Sequence, residues 1–429
     1  MLSELLDKKG SLSRQIGEAK RSGQAFEDLL DEMKQVSKQI KAIQSKEKVS
    51  RKPDSRVATE ANNKPALFDL DDSQQDASCS NVVVKLVEGG HIASLWDQYV
   101  SSKPNASIYH FWAFKVVVTE AFGHNAVYLA AFDAEGSICG ILPAVELDSR
   151  LFGHFMVSLP FFTYGAALAD NTKIERCLYT ALFEQATQRK AEHVELRCVT
   201  AWPETQNDCS EKLSKVSMIR ALPDSAETLW ADLGTKVRAQ IKKAQRYSLR
   251  IKFGKSELLD DFYHVFSVNM RDLGTPVYSK QFFARLIESE LKEKMHIGIV
   301  YCDAKPVACC FLMGHQKMME IPWASALQSA NHMNVNMYMY WEVLKKTLQE
   351  GHRFFDFGRS SVDGSTYRFK KQWGAQAHQL YWYYWLPEDT VMPELNPNNP
   401  KYQLLISVWK KLPVWFTQLI GPPIVKYLP

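Results

Sequence analysis

The chain has 429 residues and lacks the short motifs that mark many enzyme classes. It has no Walker loop, Gly-x-Ser-x-Gly elbow, His-Glu-x-x-His pair or Rossmann fingerprint after a strand. Their absence argues against P-loop NTPases, α/β-hydrolases, zincins and dinucleotide-dependent dehydrogenases. None of the eight cysteines forms a Cys-x-x-Cys pair, which excludes a ribbon-type zinc site and argues against a disulfide framework. The 11 histidines are scattered, so no metal site is expected.

Long apolar runs are also missing. No stretch of about 18 apolar residues occurs, and the first residues, MLSELLDKKG, lack the apolar core of a signal peptide. We therefore expect no transmembrane helix and a cytoplasmic location. The net charge of +4 is too small to indicate nucleic-acid binding by itself. The 46% hydrophobic residues predict a folded chain, and a length of 429 residues predicts two or three domains.

The first 80 residues differ from the rest. Apolar residues recur at helical spacing on both sides of Ser22-Gly23, which predicts a helical hairpin over residues 1–48. Residues 1–52 hold 12 Lys/Arg and 8 Asp/Glu, so this arm carries as much net positive charge as the whole chain. Residues 49–80 have little apolar content and no period, which is typical of a flexible linker.

The remainder reads as an α/β fold that occurs twice. Residues 81–220 and 221–395 each predict two helices, a β-hairpin, a third strand, a helix and a final strand, and the hairpins YLAAFDAEGSICGILP and GIVYCDAKPVACCFL align. We interpret this as an internal duplication. The Pro-rich tail, residues 396–429, contains an amphipathic segment, Tyr402–Lys411. It is expected to pack back on the domain or, alternatively, to contact a membrane surface.

A strongly basic segment opens the second half. Residues 233–256, LGTKVRAQIKKAQRYSLRIKFGKS, hold eight basic residues and no acidic one. Lys236, Lys242, Lys243 and Arg246 can share one face of a basic helix predicted over residues 236–255. Such a face either binds a phosphate-rich ligand or is merely solvated.

Chemically useful side chains follow two strands of the second half. A predicted buried strand ends in Asp356, after which Arg359 and Lys370 bring cations to the strand end. The preceding strand carries Glu320 and Ser325. Glu320 and Asp356 could act as a general acid/base pair, or both could be structural carboxylates.

Six stretches together resemble the FemAB/FemX family, and most closely its subgroup associated with exosortase/PEP-CTERM and exopolysaccharide systems. They are SRLFGHFMVSLPFFTYG (149–165), SKVSM (214–218), NMRDLGTPVY (269–278), EIPWASAL (320–327), FDFGRSSVDGSTYRFKKQWGA (355–375) and LNPNNPKYQL (395–404). The resemblance implies two tandem GNAT-like domains and transfer of an acyl group to an amine.

The resemblance also implies roles for individual residues. Phe369 and Lys370 would lie at the aminoacyl-ester end, with Lys370 stabilising either the developing oxyanion or the terminal tRNA phosphate. The base could be Asp356, Glu320 or the phosphate of the substrate itself. The substrate-binding candidates come from the basic segment, the matched stretches and the strand ends: Lys236, Arg238, Lys242, Lys243, Arg271, Trp323, Ser325, Arg359 and Tyr367.

The N-terminal hairpin is similar to the coiled-coil arm of seryl-tRNA synthetase. This similarity implies tRNA as a partner, contacted through residues 1–52 and the basic helix 236–255. Plain dimerisation, giving a homodimer, is the alternative for the arm.

The resulting hypothesis is an acyltransferase that forms an amide on a cell-envelope or exopolysaccharide precursor, with a phosphate-containing glycan or lipid-linked acceptor. The donor would be aminoacyl-tRNA, and no resident cofactor is expected. One alternative is an acyl-CoA-dependent N-acetyltransferase, although residues 325–336, SALQSANHMNVN, depart from the phosphate-binding pattern Arg/Gln-x-x-Gly-x-Gly/Ala. The other is a non-catalytic tRNA-binding scaffold. The protein is expected in the cytoplasm or at the inner face of the membrane.

Overall fold

The computed structural model describes residues 65–68, 82–202, 209–387 and 400–428, together with scattered positions between 8 and 36. The chain divides into two compact units, Met1–Asn63 and Lys64–Pro429. In the first unit the described residues are helical, and Leu12 and Val36 share one small buried cluster. Lys8 Nζ lies 2.9 Å from Glu32 Oε1 there. Most of the predicted hairpin and linker lies outside the described residues.

The second unit begins with the first repeat. Its helices are α1 (His91–Ser102), α2 (Ala113–Phe122) and α3 (Thr172–Gln188). Its strands are β1 (Val83–Leu86), β2 (Asn125–Phe132), β3 (Ile138–Ser149), β4 (Gly153–Val157), β5 (Leu168–Ala169), β6 (Val194–Cys198), β7 (Cys209–Lys212) and β8 (Lys215–Ala221). The Asn171 side chain caps α3 by accepting a hydrogen bond from the Ile174 N–H. Gly123, with φ of 70°, ends α2 in the left-handed conformation that glycine adopts without strain.

The second repeat follows the same order. Its helices are α4 (Ala226–Asp232), α5 (Thr235–Ala244), α6 (Leu259–Leu273), α7 (Lys280–Glu288), α8 (Val335–Gln349) and α9 (Ser365–Lys371). Its strands are β9 (Leu249–Gly254), β10 (Met295–Cys302), β11 (Lys305–His315), β12 (Met318–Ala326), β13 (Phe354–Ser361), β14 (Gln376–Gln379) and β15 (Tyr381–Trp385). Two more helices, α10 (Pro400–Trp409) and α11 (Val414–Val425), complete the described chain.

The two sheets have matching topologies. The first has the order β1-β2-β3-β4-β6-β15-β7, and the second, written from β9, has the order β9-β10-β11-β12-β13-β8-β14. In each sheet one parallel pair stands at the corresponding place, β4 with β6 and β12 with β13. The remaining neighbours are antiparallel. This correspondence confirms the duplication predicted from the aligned hairpins.

The repeats exchange strands. β8 lies between β13 and β14 in the second sheet, although the sequence places it in the first repeat. β15 lies between β6 and β7 in the first sheet, although it follows the whole second repeat. Three aromatic residues of β15, Trp382, Tyr383 and Tyr384, are buried. The predicted boundaries at residues 220 and 395 therefore do not separate the two sheets, because each sheet contains a strand from the other repeat.

A shared core joins the two repeats. Helices α1, α2, α6 and α7 contribute to one apolar cluster that also contains residues of both sheets. Aromatic rings make much of this contact; for example, the ring centroids of Phe122 on α2 and Phe282 on α7 are 4.9 Å apart. Separate clusters cover the outer faces, with α3 on the first sheet and α5 and α8 on the second. The two sheets consequently bury one common core.

The strand exchange predicts that the first repeat does not fold alone. In a fragment of residues 82–220, β6 and β7 lose the strand that pairs with both of them. We expect this fragment to show no cooperative urea transition by circular dichroism, in contrast to the full chain. A cooperative transition with the midpoint of the full chain would contradict the predicted dependence on β15.

Candidate active site

Two carboxylates lie side by side in the second sheet. Glu320 on β12 and Asp356 on β13 are register partners in the parallel pair. Both are buried, with 5% and 1% of their surface exposed. Beyond this pair β12 stays bonded to β11, whereas β13 pairs with β8, so the two parallel strands separate at this point. The carboxylates therefore mark the point where the strands diverge.

The first repeat supplies hydroxyl donors to this pair. Tyr109 Oη donates to Glu320 Oε2 at 2.6 Å, and Tyr164 Oη donates to Asp356 Oδ2 at 2.8 Å. Asp356 also accepts hydrogen bonds from Ser217 Oγ at 2.7 Å and from the Gly358 N–H at 2.7 Å. Tyr109 and Tyr164 are separated from their partners by 211 and 192 positions along the chain. The site is thus completed only when both repeats are in place.

Burial sets the protonation of the pair. Removal from water, followed by the nearby Asp356 charge, raises the pKa of Glu320 to about 8. Burial also raises the pKa of Asp356, although the hydrogen bonds from Ser217, Tyr164 and Gly358 oppose the shift. Two adjacent buried carboxylates cannot both ionise cheaply. Near neutral pH the pair therefore holds a proton, which we assign mainly to Glu320.

A lysine approaches the same strand end. Lys370 on α9 is 8% exposed, and its Nζ donates to the carbonyl oxygens of Gly358 and Arg359, each at 2.9 Å. Gly358 has φ of 79°, a conformation that bends β13 and that glycine adopts without strain. Burial lowers the pKa of Lys370 to about 8, while the Asp356 charge opposes the shift. These two carbonyls engage two of the three ammonium N–H groups.

Cations also converge beside this site, where β13 and β15 come together. The guanidinium groups of Arg197 and Arg359 each lie 4.8 Å from the Trp382 ring centroid. Arg197 is paired with Glu195 at 2.7 Å, but Arg359 is exposed. Burial, followed by the positive charges of Arg359 and Lys212, lowers the pKa of Lys215. An anionic ligand would relieve this repulsion, so we name Lys212, Lys215 and Arg359 the cationic seam.

Several predicted binding residues instead have structural partners. Trp323 is 8% exposed and packs in an aromatic cluster, with its ring centroid 5.1 Å from that of Phe283. Ser325 accepts a hydrogen bond from Asn269 Nδ2 at 2.9 Å. Arg271 bonds Asp272 and the Leu412 carbonyl, so it fixes the junction between the two C-terminal helices.

The α9 aromatics also pack locally. The Phe369 ring lies 5.3 Å from that of Tyr340, and Tyr367 is a half-buried ring at the edge of the same core cluster. Both help to hold α9 in place, and α9 carries Lys370.

The predicted basic helix 236–255 is shorter in the structure. α5 ends at Ala244, and β9 follows because the alternating residues Leu249, Ile251 and Phe253 turn inward against the core. Lys236, Lys242 and Lys243 are exposed on α5. Arg238 differs, because its guanidinium donates to the Ala231 carbonyl at 3.1 Å and so caps the end of α4.

A concavity that was not predicted lies in the first repeat. Its volume is about 470 Å³, and it is lined by residues that include Tyr164, Asn171 and Arg197. Asp170, at its edge, is paired with Lys103 at 2.5 Å. Within the described residues, no three His, Cys, Asp or Glu side chains are grouped so that they could hold a metal ion.

Comparison with known proteins assigns the second repeat. Residues 232–371 match the acetyltransferase (GNAT) domain family. This domain makes the chain an acyltransferase, as predicted, and it contains Glu320, Asp356 and Lys370. A comparison with the curated proteins finds no match.

Several solved structures are similar to this chain. The crystal structure of FemX matches with a TM-score of 0.55 and 12% identity, covering 76% of this chain and all of that one. The C-terminal domain of a putative lysylphosphatidylglycerol synthetase from Agrobacterium fabrum matches with a TM-score of 0.49 and 10% identity, over 70% and 93% of the two chains. A tandem GNAT protein from the clavulanic acid biosynthesis pathway matches with a TM-score of 0.48 and 10% identity, covering 72% of this chain and all of that one. The likeness to FemX concerns the fold, and the predicted α/β class with two GNAT-like domains is confirmed.

The buried pair predicts a specific pH dependence. Glu320 is protonated in the folded chain up to pH about 8 but ionises near its ordinary value when unfolded. Between these limits the folded state binds more protons, so the free energy of unfolding falls as pH rises. Glu320→Gln keeps an acceptor for Tyr109 but cannot titrate, so the part of this pH dependence that comes from Glu320 disappears.

Urea titrations between pH 5 and pH 8 measure how the free energy of unfolding of the wild type and of Glu320→Gln changes with pH. We expect the wild type to lose stability more steeply than Glu320→Gln, by up to about 1.4 kcal/mol per pH unit. Glu342→Gln, at a carboxylate on α8 that pairs with Lys345, serves as the control. Equal slopes for wild type and Glu320→Gln would contradict a protonated Glu320.

Proposed function

We propose that the protein transfers an aminoacyl group from aminoacyl-tRNA to an amine of a cell-envelope or exopolysaccharide precursor, forming an amide bond. The observation that most supports this proposal is that the Lys370 ammonium lies near the Glu320–Asp356 pair, where β12 and β13 separate. A cation can stabilise the oxyanion of acyl transfer, and a proton-holding carboxylate pair can transfer the protons that the reaction moves. The acyltransferase domain supports the reaction class.

In the proposed reaction, the acceptor amine attacks the ester carbonyl carbon of the donor. The carbonyl oxygen becomes an oxyanion, and the remaining N–H of Lys370 stabilises it. The attacking nitrogen loses a proton as the C–N bond forms, and the tRNA ribose oxygen takes a proton as the C–O bond breaks. The carboxylate pair, which shares a proton, is suited to accept one and release another, with Tyr109 and Tyr164 as its hydroxyl partners.

The turn before α8 favours an ester donor over acyl-CoA. GNAT acyltransferases use acyl-CoA as co-substrate, and a diphosphate held at a helix N-terminus needs close backbone approach. Here a 3₁₀ helix, Gln328–Met333, leads into α8, and residues 325–338 contain no Gly, Lys or Arg. Val335 and Met337 in the first turn of α8 are buried in the core. An acyl-CoA-dependent N-acetyltransferase remains the second candidate because of the matched domain.

Exposed cations support phosphate-bearing substrates. Lys236, Lys242 and Lys243 on α5 offer contacts to a tRNA backbone, and the cationic seam offers a site for a phosphate-containing glycan or lipid-linked acceptor. We also propose that the protein belongs to the exosortase-associated subgroup and that residues 1–52 contact tRNA. A homodimer is proposed as well. Most of residues 1–52 lie outside the described part of the chain.

Replacing Lys370 tests the proposed oxyanion role. Lys370→Met keeps the aliphatic volume but removes the charge, so we expect kcat/KM for donor deacylation to fall by about 10²–10³. Lys371→Met, at the exposed neighbouring lysine, is the matched control and should keep wild-type turnover. Thermal unfolding of both variants shows whether each is folded. Unchanged turnover in folded Lys370→Met would remove the role from Lys370.

A further inference from the structure

The two C-terminal helices carry a large exposed apolar face. Leu404, Leu405 and Val408 on α10 are 65%, 63% and 51% exposed, and Trp415 and Leu419 on α11 are each 66% exposed. The spacings within each helix place these residues on common helical faces. We name these five side chains the C-terminal apolar face. Five large, mostly exposed apolar side chains within 16 residues are unusual on a protein surface and indicate a contact surface.

The opposite sides of both helices are anchored to the second repeat. Gln418 Nε2 donates to Ser267 Oγ on α6 at 2.8 Å, and Thr417, Gly421 and Val425 are buried. A Cβ at Gly421 would lie 2.9 Å from the Val277 backbone nitrogen, so α11 packs closely there. On α10, Ile406 approaches Gly274 at the end of α6. The apolar face is therefore presented outward by helices fixed to the body of the protein.

The charged residues of the two helices all have one sign. Residues 400–428 contain four lysines and no acidic residue. Lys410 and Lys411 are exposed at the junction of the two helices, between the apolar residues of α10 and those of α11. Helices with an exposed apolar face, an exposed Trp, lysines and no acidic residue have the composition of helices that lie in a membrane interface. The complementary surface is anionic lipid.

We propose that the C-terminal apolar face lies on an anionic membrane surface, inserting Leu404, Leu405, Val408, Trp415 and Leu419 among the lipids while Lys410 and Lys411 contact phosphate headgroups. Among the described helices, none is both long and apolar enough to cross a bilayer, so the contact is interfacial. A second copy fits this face less well, because a two-fold interface would bring Lys410 and Lys411 against the same lysines. This inference does not depend on the proposed reaction.

Cosedimentation of the full chain with vesicles tests the contact. Wild-type protein should bind vesicles of equal parts phosphatidylcholine and phosphatidylglycerol and should bind pure phosphatidylcholine vesicles at least about tenfold more weakly. Leu405→Ser/Trp415→Ser should weaken binding to the anionic vesicles by more than about tenfold, since two large apolar side chains leave the lipid. Leu151→Ser is the matched control, because Leu151 is 79% exposed but lies in the turn between β3 and β4.

A charge variant separates the two contributions. Lys410→Glu/Lys411→Glu should weaken binding to anionic vesicles about tenfold or more, and raising the salt concentration should weaken wild-type binding in the same direction. Circular dichroism and thermal unfolding confirm that each variant folds, as expected for exposed positions.

Three outcomes would overturn the proposal. The first is no binding of wild-type protein to anionic vesicles, and the second is equal binding by wild type and Leu405→Ser/Trp415→Ser. The third is a wild-type dimer in light scattering that this variant dissociates while vesicle binding is absent, which would assign the face to a second copy.

Discussion

The hydrogen bonds from Tyr109 and Tyr164 to Glu320 and Asp356 are the interaction on which the site depends. Two carboxyl groups buried side by side are expensive unless donors satisfy them and a proton neutralises part of their charge. Both tyrosine hydroxyls come from the first repeat, whereas both carboxylates belong to the second. The position of one repeat on the other therefore fixes the environment of the acids, and no single repeat contains the complete arrangement.

The strand exchange enforces the same dependence through the backbone. β8 brings Ser217 into the second sheet, where its hydroxyl donates to Asp356. β15 brings Trp382 into the first sheet, where its ring contacts Arg197 and Arg359. Each exchanged strand thus delivers a side chain to the region where the two sheets come together. β12 and β13 separate at the Glu320–Asp356 pair, and Lys370 bonds two backbone carbonyls of β13 just beyond it.

The sequence predicted the elements well because most are locally encoded. The aligned hairpins revealed the duplication, and Glu320, Asp356 and Lys370 were found because they lie on predicted buried strands or in a stretch that resembles FemAB/FemX. The partners Tyr109, Tyr164 and Ser217 were missed. Tyr164 and Ser217 do lie in the matched stretches 149–165 and 214–218, but nothing local links them to an acid about 139 or more positions away.

The differences between the sequence expectations and the structure have local physical causes. Trp323 and Ser325 alternate with other residues along β12, and sequence alone does not reveal that Trp323 faces an aromatic core. The basic segment 236–255 reads as one helix by charge, yet its last part pairs with β10 as a strand, because tertiary pairing overrides local preference. The exchange of β8 and β15 could not be read from the chain, since strand order across repeats is set by long-range pairing.

Identifying the acyl donor tests the proposed function most directly. Purified full-length protein would be incubated in parallel with labelled aminoacyl-tRNA pools and with labelled acetyl-CoA, and both binding and loss of the acyl group would be measured. The account predicts selective capture or deacylation of aminoacyl-tRNA and little turnover of acetyl-CoA. Turnover of acetyl-CoA without tRNA binding would contradict it and assign the site to a diverged acetyltransferase. Binding of tRNA without acyl loss from either donor would contradict it in favour of a non-catalytic RNA-binding role.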